Sequence, residues 1–273
     1  MADVCVITGG GSGMGLAAAG YMPKSKMIVI AGRTVTKLEK AAEKLRAEGF
    51  EVYTKACDTS DRKSVKALAE YAASLGNVRN VINAAGLSPS MADPEKLLRV
   101  NALGTVYVNS EFRKVMASGS VILDISSNSA YALPSVIIPK RTYKLADTDE
   151  EKFLKKLLRL CRLPKDKYKQ SGLAYALSKN FTVWYAGKCA FEYGGDGIRV
   201  LSLSPGLIST DMGCAESEEG AQMLRYGAEK RMGTPEELGY AIATAADERN
   251  GYLAGVDILC DGGCTFGRKY NPQ

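Results

Sequence analysis

Tyr175 and Lys179 stand four positions apart in the stretch Tyr175-Ala176-Leu177-Ser178-Lys179. On a helix that spacing brings two side chains to one face, about 5–6 Å apart at Cβ. A free phenol has a pKa of about 10 and is a poor proton donor or acceptor at neutral pH. An ammonium held beside it favours the phenolate and lowers that value by about a unit or more, which makes the pair a usable acid/base. The same five residues also suit a packed helix with an exposed lysine, so the rest of the chain has to decide. It contains no histidine. That excludes Ser-His triads and histidine-ligated metals and leaves tyrosine as the natural proton carrier.

Such a pair needs a frame, and strands and helices alternate from the first residues, the pattern of a parallel sheet with helices on both faces. After a first strand over Asp3–Thr8 comes Thr8-Gly9-Gly10-Gly11-Ser12-Gly13-Met14-Gly15, then a run of small residues. Glycines at a strand-to-helix turn let the backbone approach a pyrophosphate that sits on the helix N-terminus. The spacing of Gly9, Gly13 and Gly15 is not the commonest dinucleotide fingerprint, and no Lys-Ser/Thr follows to make a P-loop. The second strand, Met27–Ala31, runs into Gly32-Arg33-Thr34, where a carboxylate would accept from the 2′-OH of NAD. Here the side chain is Arg33, and a guanidinium suits a 2′-phosphate, which points to NADP over NAD. A surface arginine at a loop start is the ordinary alternative.

A helix is expected over Val35–Glu48, a third strand over Phe50–Cys57 delivering Asp58, a helix over Asp61–Ser74 and a fourth strand over Val78–Ile82. That strand runs into Asn83-Ala84-Ala85-Gly86, whose small residues would leave room for a cofactor, while Asp58 is placed to receive an adenine amino group. Both are equally ordinary turn residues. A long helix, about Pro94–Ala117, carries Asn101 and Gly104 in its middle, and both are poor helix-interior residues; they signal a function or a local irregularity. The fifth strand, Val121–Ile125, ends in Ser126-Ser127 at the C-terminal edge where α/β sheets hold ligands. A strand over Ile198–Leu203, a loop to about Gly220 with Met212, Met223 and Leu224 as an apolar wall, helices to Ala246 and a last strand, Val256–Leu259, complete the sheet.

At 273 residues, 46% hydrophobic and 24% charged, the chain suits one α/β domain over 1–273. No run approaches the roughly 18 apolar residues of a membrane span. The start reads as a strand and not a signal peptide, and the seven scattered cysteines suit a reducing cytosol, so a cytoplasmic protein without a metal is expected. The net charge of +6 lies wholly in residues 134–170, which hold eleven Lys/Arg against five Asp/Glu. With no nucleic-acid motif beside it, that charge does not argue for nucleic-acid binding.

In order, TGGGSGMG, Asp58, NAAG at 83–86, Asn101, ISS at 125–127, YALSK at 175–179, Pro205-Gly206 with Thr210, and Asp261-Gly262-Gly263 make the chain resemble a classical short-chain dehydrogenase/reductase over essentially its whole length. The resemblance implies a single doubly wound (Rossmann-type) α/β sheet and an alcohol dehydrogenase or ketone reductase. Its catalytic asparagine, serine, tyrosine and lysine map onto Asn101, Ser127, Tyr175 and Lys179. Lys179 would hold the cofactor ribose and lower the pKa of Tyr175, Ser127 would fix the carbonyl oxygen, and Asn101 would support a water relaying protons through Lys179. The cofactor contacts implied are Gly9, Gly11, Ser12, Gly13, Met14, Gly15, Arg33, Thr34, Asp58, Thr59, Asn83, Ala84, Ala85, Gly86, Tyr175, Lys179, Pro205, Gly206, Ile208 and Thr210, with NADP(H) as cofactor.

Two departures from the family pattern stand out. Ser127 to Tyr175 is 48 positions, far longer than usual, and Asn83 to Asn101 is 18, shorter than usual. A bacterial branch that includes a 3α-hydroxysteroid dehydrogenase/carbonyl reductase is similar in both respects, although that steroid enzyme looks NAD-dependent and Arg33 departs from it. The branch implies a hydroxysteroid or its ketone, possibly a bile acid, as substrate; a 3-oxoacyl or general carbonyl reductase, or a non-catalytic NADP-binding regulator, is the alternative. Tyr131, Leu133, Val136, Ile137 and Ile138 would line one wall of the cleft, and Lys140, Arg141 or Lys144 would meet a carboxylate. The insertion, about 134–170, holds a candidate capping box of Thr148 and Glu151 opening a helix to Leu163, with Phe153, Leu154, Leu157, Leu158 and Cys161 as its apolar stripe. Family members pair as dimers or tetramers through the helices here at 94–117 and from about 172. The insertion enters between those helices and is expected to cover their outer faces.

Overall fold

A computed structural model describes residues 2–214 and 224–270. Met223, assigned above to an apolar wall, lies outside the described residues. The short apolar runs become the central strands because both faces of each are covered: Val4, Cys5, Val6 and Ile7 of β1 (Asp3–Thr8) and Ile28 to Ala31 of β2 (Met27–Gly32) are completely buried. With β3 (Glu51–Ala56), β4 (Asn77–Asn83), β5 (Met116–Ile125), β6 (Arg199–Pro205) and β7 (Asp257–Cys260) they form one seven-stranded sheet in the order β3-β2-β1-β4-β5-β6-β7. Every neighbouring pair is parallel. Helices α1 (Gly13–Tyr21), α2 (Val35–Ala47) and Pro235–Ala245 close a core on one face. On the other face lie α3 (Arg62–Leu75), α4 (Pro94–Leu97), α5 (Gly104–Arg113), α6 (Lys140–Tyr143), α7 (Glu150–Cys161) and α8 (Lys167–Tyr193). The strand order reverses between β1 and β4, and at such a switch point the C-terminal strand ends open a crevice.

The expected helix over 94–117 is not continuous. Between α4 and α5 the backbone is π-helical over Leu98–Leu103, and the N–H of Gly104 bonds back five residues to Arg99. Asn101 lies inside this wide turn, and a π segment at this place is the kind of irregularity that functional sites use. Gly104 permits a close approach, since a Cβ there would stand 3.2 Å from the carbonyl oxygen of Thr59. The helix also stops at Arg113, and β5 begins at Met116, five residues earlier than the sequence suggests. Val78 pairs with Met116 but Asn80 pairs with Val121, so residues 117–120 form a bulge in which Gly119 takes φ +86°.

In the insertion, α7 is capped by Asp149, whose side chain accepts from the N–H of Lys152, and not by the predicted pair Thr148 and Glu151. A carboxylate one residue nearer the first turn also interacts with the helix dipole, which a threonine does not. Phe153, Leu154, Leu157 and Cys161 are buried against the body, as the stripe requires, whereas Leu158 is only partly buried. Glu150 is tied down by Arg62 at 2.8 Å and by the Tyr107 hydroxyl at 2.6 Å. Before it, Tyr143 is fully buried, packs edge-on against Phe181, and donates its hydroxyl to Asn180 Oδ1 at 3.1 Å. The insertion is therefore fastened to α8 next to Lys179. Helix α8 itself starts at Lys167, capped by Asp166, several residues before the expected 172.

Candidate active site

The glycine turn is built by steric exclusion. Gly9 has φ +69° and a Cβ on it would lie 2.8 Å from the Ala84 carbonyl oxygen; a Cβ on Gly15 would lie 2.7 Å from that of Gly9. No side chain other than hydrogen fits, and the backbone stays open to the crevice. Ser12 at the start of α1 makes no side-chain cap and the first turn holds no acid, so the positive helix end faces the cleft uncompensated. The cleft is a cavity of about 840 Å³ lined by Gly9, Ser12, Gly13, Met14, Gly15, Arg33, Asp58, Thr59, Ala84, Ala85, Gly86 and Thr210, among others. Thr210 closes it from across the glycine turn, its Cγ2 standing 3.5 Å from where a Gly13 Cβ would be. These residues fit a dinucleotide: a glycine cradle and helix end for the diphosphate, and separate polar groups at the far strand ends.

At that far end Arg33 is exposed beside Thr34, which starts α2 without a side-chain cap. Asp58 is partly buried, which would raise its pKa, but hydrogen bonds from the N–H and hydroxyl of Ser60, with the field of Arg33, hold the carboxyl below its usual value. Met212, Leu87, Met91 and Val100 also border the cleft. Gly11, Thr34, Tyr175, Lys179, Pro205, Gly206 and Ile208 do not line this cavity, and neither do Asn101 and Ser127. Gly206 and Ile208 instead border a second hollow of about 210 Å³, together with Leu224. Asn83 is buried below the cleft and is taken up in hydrogen bonds within the sheet.

The four remaining candidates gather at the ends of β4 and β5. On α8 the Nζ of Lys179 lies 5.8 Å from the centroid of the Tyr175 ring, one helical turn away. Lys179 is 6% exposed and donates to the main-chain carbonyl of Ile125 at 2.9 Å. Burial pulls its pKa down to about 8, and the carboxylate of Asp124 opposes that fall. A Cβ on Gly86 would stand 3.4 Å from both Lys179 Nζ and Asn101 Oδ1, so the lysine and the asparagine converge on this glycine. The Asn101 amide clamps the loop after β4, accepting from the N–H of Leu87 and donating to its carbonyl, each at 2.9 Å. Ser127 heads the turn Asn128–Tyr131, and its Oγ accepts from the Ser129 N–H at 3.1 Å, which leaves its own O–H to donate. Ser126 joins this edge to α8 by donating to the Lys179 carbonyl at 2.8 Å. Two polar residues here, Asp124 and Asn109, went unremarked in the sequence. Their partners are scattered from residue 83 to residue 179, so no local motif announces them.

A cleft at a switch point, a glycine cradle and a buried lysine beside a tyrosine define a dinucleotide-dependent α/β enzyme. Comparison with known proteins narrows this. A family model described as short chain dehydrogenase matches residues 3–138, and one described as enoyl-(acyl carrier protein) reductase matches residues 165–265. Among curated relatives, a short-chain dehydrogenase/reductase of Alternaria brassicicola is 29% identical over 96% of each chain. D-threitol dehydrogenase of Mycolicibacterium smegmatis is 26% identical over 96% of this chain and 93% of the relative. 3beta-hydroxysteroid dehydrogenase 2 of Eggerthella lenta is 26% identical over 96% of this chain and 94% of the relative. A Burkholderia cenocepacia short chain dehydrogenase solved in complex with NADP shares the fold, with a TM-score of 0.75 at 19% identity over 96% of this chain and 97% of that one. The chain belongs to the short-chain dehydrogenase/reductase family. It is an oxidoreductase of the kind that acts on alcohols and ketones with NAD(P), and among the described residues no helix is long and apolar enough to cross a membrane.

Proposed function

We propose that the protein is an NADP(H)-dependent oxidoreductase interconverting a secondary alcohol and a ketone, with Tyr175 as acid/base and a hydroxysteroid as substrate. The observation that carries the proton chemistry is the buried Lys179 ammonium one turn from the Tyr175 ring. The cofactor, when bound, supplies or accepts the hydride. Tyr175 gives its proton to the carbonyl oxygen, or takes one from the alcohol in the reverse direction. Lys179 is held by Ile125 at a height where it can both hold the ribose and favour the phenolate. Ser127 keeps a free O–H for the reacting oxygen and stabilises the charge that develops there. Asn101 fixes the backbone of Leu87, which keeps Gly86 open beside the lysine.

NADP preference is supported by Arg33 at the cleft rim next to the uncapped start of α2, where a 2′-phosphate would gain a guanidinium and a helix end. The steroid reading is supported by the apolar surface that follows Ser127: Tyr131, Val136 and Ile137 are exposed, whereas Leu133 and Ile138 are half-buried and anchor the segment. A flat apolar polycycle gains about 25 cal/mol for each Å² buried against such a wall. Lys140, Arg141 and Lys144, which follow it in the chain, are exposed and would supply the cations for a bile-acid carboxylate. The test is kcat/KM for bile acids, neutral steroids, short ketones and 3-oxoacyl thioesters with each cofactor at two ionic strengths. Steroids are expected to turn over fastest, with NADP(H). Faster turnover of acyl thioesters than of any steroid removes the steroid reading, and equal rates on charged and neutral steroids remove only the carboxylate contact.

A further inference from the structure

We infer that Asp124 is a positioning residue for the acid/base pair: its carboxylate, clamped in the sheet by Asn83 and Asn109, is the buried counter-charge that keeps Lys179 cationic. The inference rests on the reading of Tyr175 and Lys179 given above.

The register places Thr8, Asn83, Asp124 and Ser202 side by side on β1, β4, β5 and β6. Alternation along each strand turns them toward the face that α5 and α8 cover, where their neighbours Val6, Val81, Ile122 and Val200 are core. They form a polar rung: the Thr8 hydroxyl donates to Asn83 Oδ1 at 2.9 Å, and Asn83 Nδ2 donates to Asp124 Oδ1 at 2.8 Å. From α5, Asn109 Nδ2 stands 3.0 and 2.9 Å from the two carboxylate oxygens. Asp124 is completely buried. Such a charge is costly unless it is hydrogen-bonded and paired.

Among the described residues, the Asn109 Oδ1 is one of two buried side-chain polar atoms without a partner. A neutral acid at 124 would have a proton to give that oxygen. The amide instead turns its N–H₂ on both oxygens of Asp124, which is the arrangement an ionised carboxylate selects. A buried cation stands at the same strand end without a direct ion pair to Asp124: Lys179 on α8 donates to Ile125, the strand residue next to Asp124. Burial pushes Asp124 up to about 6, with Asn83, Asn109 and Lys179 opposing, and Asp124 in turn opposes the fall of Lys179. The Cys189 thiol on α8 also feels Asp124, but burial pushes it up to about 12 and it stays neutral. The groups facing Asp124 from β1, β4, β5's other neighbour β6, and α5 are the uncharged Thr8, Asn83, Ser202 and Asn109.

The test is the pH dependence of kcat/KM for ketone reduction by the full chain, wild type against Asp124→Asn, with Tyr175→Phe in parallel. Removing a negative charge lowers the pKa of a nearby ammonium and of a nearby phenol alike. The alkaline limb is therefore expected to move to lower pH, by roughly one unit, while the two profiles converge at the acid end, where Asp124 is protonated. A uniform loss at every pH with an unmoved limb overturns the role, since a merely structural residue would give that. Asp124→Ser removes the same charge with a smaller side chain and is expected to move the limb the same way, which keeps the proposal testable if Asp124→Asn does not fold; an unmoved limb there overturns it. Turnover surviving in Tyr175→Phe would remove the acid/base reading itself, whereas a dead Tyr175→Phe with an unmoved limb in Asp124→Asn overturns only the part played by Asp124.

Discussion

Lys179 donates its ammonium to the carbonyl of Ile125 at 2.9 Å, which fixes a helix cation to the end of the central strand β5. A flexible lysine stem ordinarily keeps its charge in water. Here the stem is buried and the charge is held at the point where Gly86, Asn101 and the Tyr175 ring meet.

That placement costs stability. Burial lowers the pKa of Lys179 from 10.5 to about 8. Between those values the unfolded chain binds more protons than the folded one, so stability rises with pH across that window and the penalty is fully present below it. Lys179→Met is expected to abolish turnover and to lose the Lys179 contribution to the pH dependence, on the order of 1–3 kcal/mol across that window. Thermal unfolding from pH 7 to 10 checks this: Tm of the variant should lack the upward slope of the wild type.

Arg33→Asp is expected to weaken NADP binding roughly tenfold to a hundredfold, as loss of one charged contact does, and to improve NAD binding. Fluorescence titration with both reduced cofactors decides it. A wild type that binds NAD as well as NADP contradicts the preference.

Gly15→Ala places a methyl 2.7 Å from the Gly9 carbonyl oxygen, which is backbone and cannot step aside cheaply. At least a tenfold loss of cofactor affinity and a lower Tm are expected. Gly20 on the same helix has nothing within 4 Å of a Cβ, and Gly20→Ala should leave affinity unchanged and should not lower Tm.

The insertion bears on assembly. Helix α7 buries Phe153, Leu154 and Leu157 on the body and is pinned through Glu150 to Arg62 and to Tyr107 of α5. Pairing through α5 and α8, as family members do, is expected to be blocked, with a dimer formed by another surface. Light scattering followed by a structure of the assembly checks this, and an intact four-helix interface contradicts it.

Much of the frame was legible because it depends on local chemistry. The glycines of 9–15 can serve only a tight turn, and Asn101 with Gly104 announced a helix irregularity that proved to be a π segment. The early start of β5 was hidden because Ser118, Gly119 and Ser120 have poor strand propensity; pairing with β4 overrides it through a bulge. Asp149 outcompetes the capping box of Thr148 and Glu151, a choice between adjacent residues that spacing alone does not make. The rung of Thr8, Asn83 and Asp124 exists only once three strands come into register.

The central claim is that Tyr175 moves the proton, and Tyr175→Phe tests it most directly, because it removes one hydroxyl and leaves the ring beside Lys179. Steady-state turnover and NADPH affinity would be measured together on the same preparation. Turnover reduced by about a thousandfold with affinity nearly unchanged is the predicted result; turnover within tenfold of wild type would contradict the account.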